Sequence, residues 1–353
     1  MTPAGELLAA EIRANGPIGF RRFMEVALYH PEHGYYRRGA GALGKDRFGT
    51  DRPGHDRLGN DPFGRAGDFF TAEQIQPVFG ILIAARIRDL CHAMGSPPGF
   101  TVVELGAGRR EMAEAFAEFH YVPVDLDDGK LPEQFQGVVF SNEFFDALPV
   151  DAVVYRDGAF REQRVTMENG AFRWQTGEVV GDESDAYLRR YYPAAEEGRW
   201  YEVNLEALRW IERIANSLIK GYVLTIDYGY TRAESVRFAA GTLMGYRRHT
   251  AREDVLTDPG VRDITAHVNF TAMEETGAAC GLVKERFETL AQTLLAAGAC
   301  DQFAAALGTG GTGEELRRRM QLKTLLFGMG ETFRVLLQRK GGLNRIGEKR
   351  LKQ

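Results

Sequence analysis

Cysteine is scarce in this chain: 353 residues carry three, Cys91, Cys280 and Cys300, far apart and without C-x-x-C spacing. Such a set builds neither a disulfide framework nor a zinc site, no metal ligands are assigned, and a reducing, cytoplasmic setting is expected. A surplus of one charge is also lacking. Lys+Arg number 44 and Asp+Glu 49, a formal net charge of −5, so no strong field gathers nucleic acid or an anionic membrane, and a basic partner is slightly favoured. Long apolar runs are missing too. The most apolar stretch, Val78 to Met94, is interrupted by Arg86, Arg88 and Asp89, which reads as a buried helix between Pro77 and Gly95 rather than a membrane span. The first residues, with Glu6 and Glu11, have no secretory or transit-peptide character and read as mature protein.

Between Gly39 and Arg65 the composition collapses to Gly, Asp, Arg and Pro, and Asp46-Arg47-Phe48-Gly49-Thr50-Asp51 recurs as Asp56-Arg57-Leu58-Gly59-Asn60-Asp61. Too few apolar residues remain there to bury a core, so 39–66 is expected to be a mobile insertion. From Phe100 onward, short apolar strands alternate with helices: Thr101 to Leu105, a glycine turn, a helix expected from Glu111 to Phe119, then strands at Tyr121 to Asp125 and Gly137 to Asn142. This pattern predicts an α/β fold with a parallel sheet. Asp157-Gly158 and Asn169-Gly170 sit between β-like runs and predict hairpins, hence an inserted antiparallel meander. Asn204 is placed to cap a helix carrying Leu205, Leu208, Ile211, Ala215 and Leu218, ending near Lys220-Gly221, before a buried strand from Tyr222 to Asp227. The expected organisation is an N-terminal helical cap over 1–99, a core over 100–150 and 201–300, the meander and a helix over 151–200, and a helical segment and basic tail over 301–353.

Three segments carry chemistry. In Glu104-Leu105-Gly106-Ala107-Gly108 the glycines let the turn after a strand approach a ligand closely. A dinucleotide fingerprint would place a third glycine at position 111, which is Glu, and a carboxylate at a helix N-terminus repels a pyrophosphate. Asp125, 21 residues after Glu104, is placed to accept ribose hydroxyls. A tight turn in any α/β protein would look similar. The second segment, Asn142-Glu143-Phe144-Phe145-Asp146-Ala147-Leu148-Pro149-Val150, follows a buried strand, so it faces the ligand crevice. Its carboxylates and aromatic rings suit a cationic side chain; alternatively Glu143 and Asp146 cap a following helix. The third, Asp227-Tyr228-Gly229-Tyr230, ends another strand on the same edge. Asp68 or Thr71 reads as a helix cap, and Asp263 and His267 would share a face if their segment were helical.

In order along the chain, Tyr29-His30-Pro31-Glu32-His33-Gly34-Tyr35-Tyr36, Gly67-Asp68-Phe69-Phe70-Thr71-Ala72, the Glu104 to Gly108 turn, the Asn142 to Val150 string, Asp227-Tyr228-Gly229 and Asp263-Ile264-Thr265-Ala266-His267-Val268 resemble the MidA-like methyltransferases, which include a mitochondrial assembly factor of complex I that methylates arginine. The resemblance implies a Rossmann-like class I methyltransferase sheet with an N-terminal helical cap and S-adenosyl-L-methionine as cofactor. It further implies that Gly67, Asp68, Thr71, Glu104, Gly106, Gly108, Asp125 and Asn142 bind that cofactor, that Glu143, Asp146, Asp227 and His267 are catalytic, and that the methyl acceptor is an arginine of a partner protein. A homodimer is compatible with it.

Some positions depart from the family pattern. Glu73-Gln74 stands where Pro-Glu is usual, and Arg109-Arg110 follows a turn usually extended by glycine. About a dozen residues separate Asp125 from the strand at Val138, against the roughly 30 of a strand-helix-strand unit, so one core helix and strand are expected to be missing. A small-molecule O- or N-methyltransferase, a non-catalytic assembly or binding protein, and a nicotinamide oxidoreductase are the competing readings.

Overall fold

The computed structural model describes residues 1–37, 75–126, 129–247, 250–252, 254–308 and 312–341. The predicted 39–66 insertion and the candidates Gly67, Asp68 and Thr71 lie outside the described residues. The chain divides into two compact units, Met1–Phe70 with Ala147–Glu206 and Arg232–His267, and Thr71–Asp146 with Ala207–Thr231 and Val268–Gln353.

The second unit is built on a seven-stranded sheet: β1 Thr101–Leu105, β2 His120–Val124, β3 Phe135–Asn142, β4 Leu218–Tyr230, β5 Val268–Asn269, β6 Leu282–Thr289 and β7 Phe333–Lys340. Their order is β6-β7-β4-β3-β1-β2, with β5 beside β4. Pairs β1/β2, β1/β3, β3/β4 and β4/β5 run parallel, whereas β7 runs antiparallel to both neighbours. Strands buried on both faces need continuous apolar sequence, and all five residues of β1 are buried. The helix Val78–Ala93 covers one face, packing Phe79, Leu82, Ile83 and Ile87 with Phe116, Phe140, Tyr222 and Leu224. Arg86, within that helix, is buried and its pKa is pushed down, first by desolvation and then by Arg286. No helix of the described residues is long and apolar enough to cross a membrane.

Register decides which residues meet. Leu105 pairs with Val124 and with Ser141, and Asn142 pairs with Ile226. The carboxyl ends of β1, β2 and β3 therefore finish nearly level while β4 runs on to Tyr230, and Gly106, Asp125, Glu143 and the Asp227 to Tyr228 part of β4 share one edge. At β1 the chain connections diverge, β2 on one side and β3 on the other, which is where ligands bind in open α/β sheets.

The first unit holds the antiparallel meander. Strands Ile18–Gly19, Ala159–Glu168, Asp151–Arg156 and Trp200–Val203 lie side by side, with Ala171–Val179 added on Ala159–Glu168. Both predicted hairpins form: Asp157 and Gly158 have φ of 53° and 76°, Asn169 and Gly170 have 50° and 77°, the double left-handed pair of a type I′ turn. Against this sheet pack the helices Pro3–Asn15 and Phe20–Tyr29, burying Leu8, Phe20, Phe23, Met24 and Leu28 with Val165 and Phe172.

Several sequence expectations are corrected. No regular helix spans Glu111 to Phe119; the segment is a run of turns closed by three-residue bonds such as Ala113 N–H to the Arg110 carbonyl, 3.0 Å. Arg110 has φ of 60°, which interrupts the helical start that a run of α-region dihedrals requires. The helix after Asn204 ends at Ser217, and β4 begins directly at Leu218. The Asp263 to His267 stretch is extended, not helical: Asp263–Thr265 is a strand paired with Met244–Arg247. The helix Val78–Ala93, assigned by sequence to the N-terminal cap, belongs to the sheet unit, and Arg232–His267, assigned to the core, belongs to the meander unit. The C-terminal region contains β7, an internal strand, where only helix and tail are expected. Val335, Leu336 and Leu337 are too short an apolar run between Arg334 and Gln338 to announce a strand; pairing with both β4 and β6 makes it one. Among the described residues no strand lies beyond β2, which is the edge of the sheet.

Candidate active site

The turn after β1 is shaped by two left-handed glycines, Gly106 with φ of 71° and Gly108 with φ of 47°. Gly106 N–H donates to the Val124 carbonyl at 2.9 Å, tying the turn to the end of β2. Asp125 completes it. One carboxylate oxygen accepts from Gly108 N–H at 2.5 Å and the other from Leu126 N–H at 2.6 Å. Each carboxylate oxygen can accept again, so these bonds orient Asp125 and leave it able to take two vicinal hydroxyls. A Cβ at Gly106 would stand 3.0 Å from the Phe144 ring, while one at Gly108 would meet only the Gly106 carbonyl at 3.8 Å. The turn is open above Gly108 and walled by Phe144 at Gly106, a cradle that fits a nucleoside with an aliphatic extension. Glu104 is fully buried one residue before the end of β1 and accepts a hydrogen bond from the Tyr121 hydroxyl. Sequence reasoning missed Tyr121, because only the parallel register brings it within reach of Glu104.

A carboxylate cluster forms at the ends of β3 and β4. Asn142, 4% exposed, donates from Nδ2 to the Glu143 carboxylate at 3.1 Å. Glu143 has φ of 52°, a strained conformation for a residue with a side chain, and its N–H donates to the Ile226 carbonyl at 3.0 Å. No helix follows, so Glu143 and Asp146 are not helix caps. Asp227 accepts from the N–H groups of Phe145 at 3.1 Å, Asp146 at 3.3 Å and Tyr228 at 2.9 Å. It clamps the Asn142 to Asp146 loop to the end of β4. Burial, then the negative charges of Asp146 and Glu143, raise the Asp227 pKa well above the carboxylate range. The same causes, burial first, push the Tyr228 phenol up as well. Tyr228 thus joins the cluster, a residue that the sequence marked only as part of a strand-end motif.

His267 belongs to the other unit. Its backbone N–H donates to Thr242 Oγ1 at 3.0 Å, and Thr242 donates from N and Oγ1 to Glu202, at 2.7 and 3.1 Å. Desolvation lowers the imidazole pKa to about 4, so it is neutral at pH 7. Because this folded-state value lies below the ordinary 6.5, its stabilising contribution is complete above pH 6.5 and is lost as pH falls toward 4. His267→Gln is expected to flatten that acid limb by about one proton, or ~1.4 kcal/mol per pH unit at its steepest, as read by urea unfolding from pH 7 to 4. The Tyr29 to Tyr36 motif has an internal role in the same unit: Tyr29 donates to the Ala147 carbonyl at 2.7 Å and Tyr36 to Asp263 at 2.8 Å. Asp263 is thereby a partner of that turn.

Known proteins resemble this chain. A family model of S-adenosyl-L-methionine-dependent methyltransferases matches residues 114–288. A Burkholderia thailandensis protein crystallised with S-adenosyl-homocysteine superposes with a TM-score of 0.81 at 29% identity, over 98% of this chain and 94% of that one. The chain is similar to this methyltransferase family along most of its length. The methyltransferase uses S-adenosyl-L-methionine as its cofactor, and its sheet is of the class I kind. Among curated relatives, the Drosophila melanogaster protein arginine methyltransferase NDUFAF7 homolog is 27% identical over 320 residues, 74% of this chain and 67% of its own. The Danio rerio counterpart is 24% identical over 330 residues, 76% and 70% respectively. Both are named as mitochondrial, which overturns the cytoplasmic expectation. Sparse, unpaired cysteine indicates a reducing milieu but does not tell one such compartment from another.

Proposed function

We propose that the methyltransferase methylates an arginine side chain of a partner protein, with the cofactor held by the Gly106 to Gly108 turn, Glu104, Asp125 and Asn142. The observation that carries this reading is the gathering of Glu143, Asp146 and Asp227 at the ends of β3 and β4, where burial and mutual repulsion raise the Asp227 pKa. A cluster of carboxylates suits a guanidinium, which meets them in a planar, multi-donor form. When bound, S-adenosyl-L-methionine supplies an electrophilic sulfonium methyl. Glu143 and Asp146 would accept guanidinium N–H groups, fix the plane of the acceptor and turn one nitrogen toward the methyl position. Orientation and charge stabilisation of this kind account for much of the acceleration of a displacement. Asp227, already committed to three backbone N–H groups, acts by holding the loop. The names of the curated relatives support the same acceptor.

Incubation with methyl-tritiated S-adenosyl-L-methionine and a source-cell extract tests this reading. Label recovered in protein as methylarginine is the expected result. Label only in small molecules, or only on other amino acids, overturns it. The cofactor assignment has its own test. Gly106→Val should raise the S-adenosyl-L-methionine Kd by about ten-fold or more, since a β-branched residue strains at positive φ and its Cβ meets Phe144; Gly108→Ala, facing open space, should do less. Calorimetric titration gives both values.

A further inference from the structure

Phe144 walls the turn at Gly106, and it does not stand by itself. Its ring meets the Trp210 ring edge to face, with centroids 5.2 Å apart and planes at 84°, and meets Phe145 at 5.1 Å and 82°. Trp210 lies on the helix Leu205–Ser217, and three residues on, the Arg213 guanidinium lies 4.0 Å from the centre of its ring. Phe145 is fully buried, whereas Phe144 and Trp210 are half-buried. The contacts form one line in the sheet unit: Arg213 on Trp210, Trp210 against Phe144, and Phe144 against the bare Cα of Gly106. Two features make this line more than core packing. Gly106 has no side chain, so the Phe144 ring sets how close anything can come to that turn. Phe144 itself sits in the loop whose backbone is held at Phe145 and Asp146 by Asp227, one residue after the strained Glu143; those bonds fix its backbone, and its ring position depends on what the ring packs against.

We propose that Trp210 is a positioning residue for the cofactor: it holds Phe144 in place and so sets the width of the cradle at Gly106. The proposal rests on the reading that this cradle holds S-adenosyl-L-methionine. The Trp210 indole offers Phe144 an edge-to-face partner, an arrangement that adds stabilisation beyond simple burial, and Arg213 covers the indole on another side through a cation–π contact. Without the indole, the ring of Phe144 is free to rotate toward or away from the turn, and cofactor binding must then bear the ordering of the wall.

The test is a double-mutant cycle on the full-length protein, read by the S-adenosyl-L-methionine Kd and by the thermal midpoint of the ligand-free protein. Trp210→Leu and Phe144→Leu are each expected to raise Kd about five-fold, with the double variant no worse than either single one, the mark of residues acting as a unit. Trp210→Phe, which keeps an aromatic edge, should recover most of the affinity. A merely structural role would lower the thermal midpoint in both Trp210 variants and leave Kd unchanged in those that fold; that result overturns the proposal, as do effects of the two Leu variants that multiply independently. Should Trp210→Leu fail to fold, Trp210→Met, which also removes the aromatic edge, and Arg213→Ala carry the same comparison; Kd is expected to rise in both, and a wild-type Kd in both overturns the proposal. If the wild-type protein itself does not bind S-adenosyl-L-methionine while Gly106→Val behaves like wild type, the cofactor reading has failed, and the Trp210 proposal falls with it.

Discussion

Glu143→Gln should lower methyl transfer by at least about a hundred-fold, the scale expected when a preorganised charge at the reacting centre is removed, while the Kd for S-adenosyl-L-methionine stays within about two-fold. Glutamine keeps the shape of the side chain and an oxygen that can accept from Asn142 Nδ2, the bond seen at 3.1 Å. It loses the charge, and its amide offers donors toward a guanidinium that is itself all donors. The backbone at position 143 is held by its own bond to the Ile226 carbonyl, so the loop has no reason to shift. Initial rates with a methylatable protein, set beside calorimetric titration of the cofactor, measure both quantities. Unchanged turnover would remove Glu143 from the site; lost cofactor binding would move it from the acceptor side to the cofactor side.

Asp227→Ala is expected to destabilise the fold by about 3–5 kcal/mol, because three N–H groups, those of Phe145, Asp146 and Tyr228, lose their acceptor in a buried place, and each such orphan costs roughly 1–3 kcal/mol before relaxation. Asp227→Asn keeps one acceptor oxygen and should lose less. The pH dependence gives a second, independent reading. Asp227 has a folded-state pKa raised above its ordinary 3.8, so the folded protein retains a proton that the unfolded chain releases. The contribution is complete below that ordinary value and is lost as pH rises through the folded-state pKa. Asparagine does not titrate, and the stability gap between wild type and Asp227→Asn should therefore narrow as pH rises. Urea unfolding across that range decides it; a gap that widens would mean that Asp227 gains from ionisation in the fold.

Local signals were legible wherever a backbone conformation demands particular residues. The Asp157-Gly158 and Asn169-Gly170 turns were, because paired left-handed conformations restrict the choice, and so was the Gly106 to Gly108 turn. The buried helix Val78–Ala93 was readable from its apolar content and its Pro77 start, although not the sheet it would cover. The helix expected from Glu111 to Phe119 was misread because periodicity is indifferent to one left-handed residue, Arg110, at its start. β7 was missed because its three central apolar residues mean little until strands stand on both sides.

The candidate site divides in the same way. Sequence by itself determined the kinds of group present and the turns that carry them: glycines at 106 and 108, a carboxylate at 125, and the Asn142 to Asp146 string after a buried strand. Those are properties of neighbours along the chain, where spacing and dihedral preference suffice. Only the tertiary structure decided that Asp227 serves as a clamp for backbone N–H groups, that Tyr121 reaches Glu104, that Tyr228 shares the carboxylate cluster, and that Trp210 stands behind Phe144. Each depends on parallel register or on helix packing between residues distant in sequence, and no local pattern specifies which of them will meet.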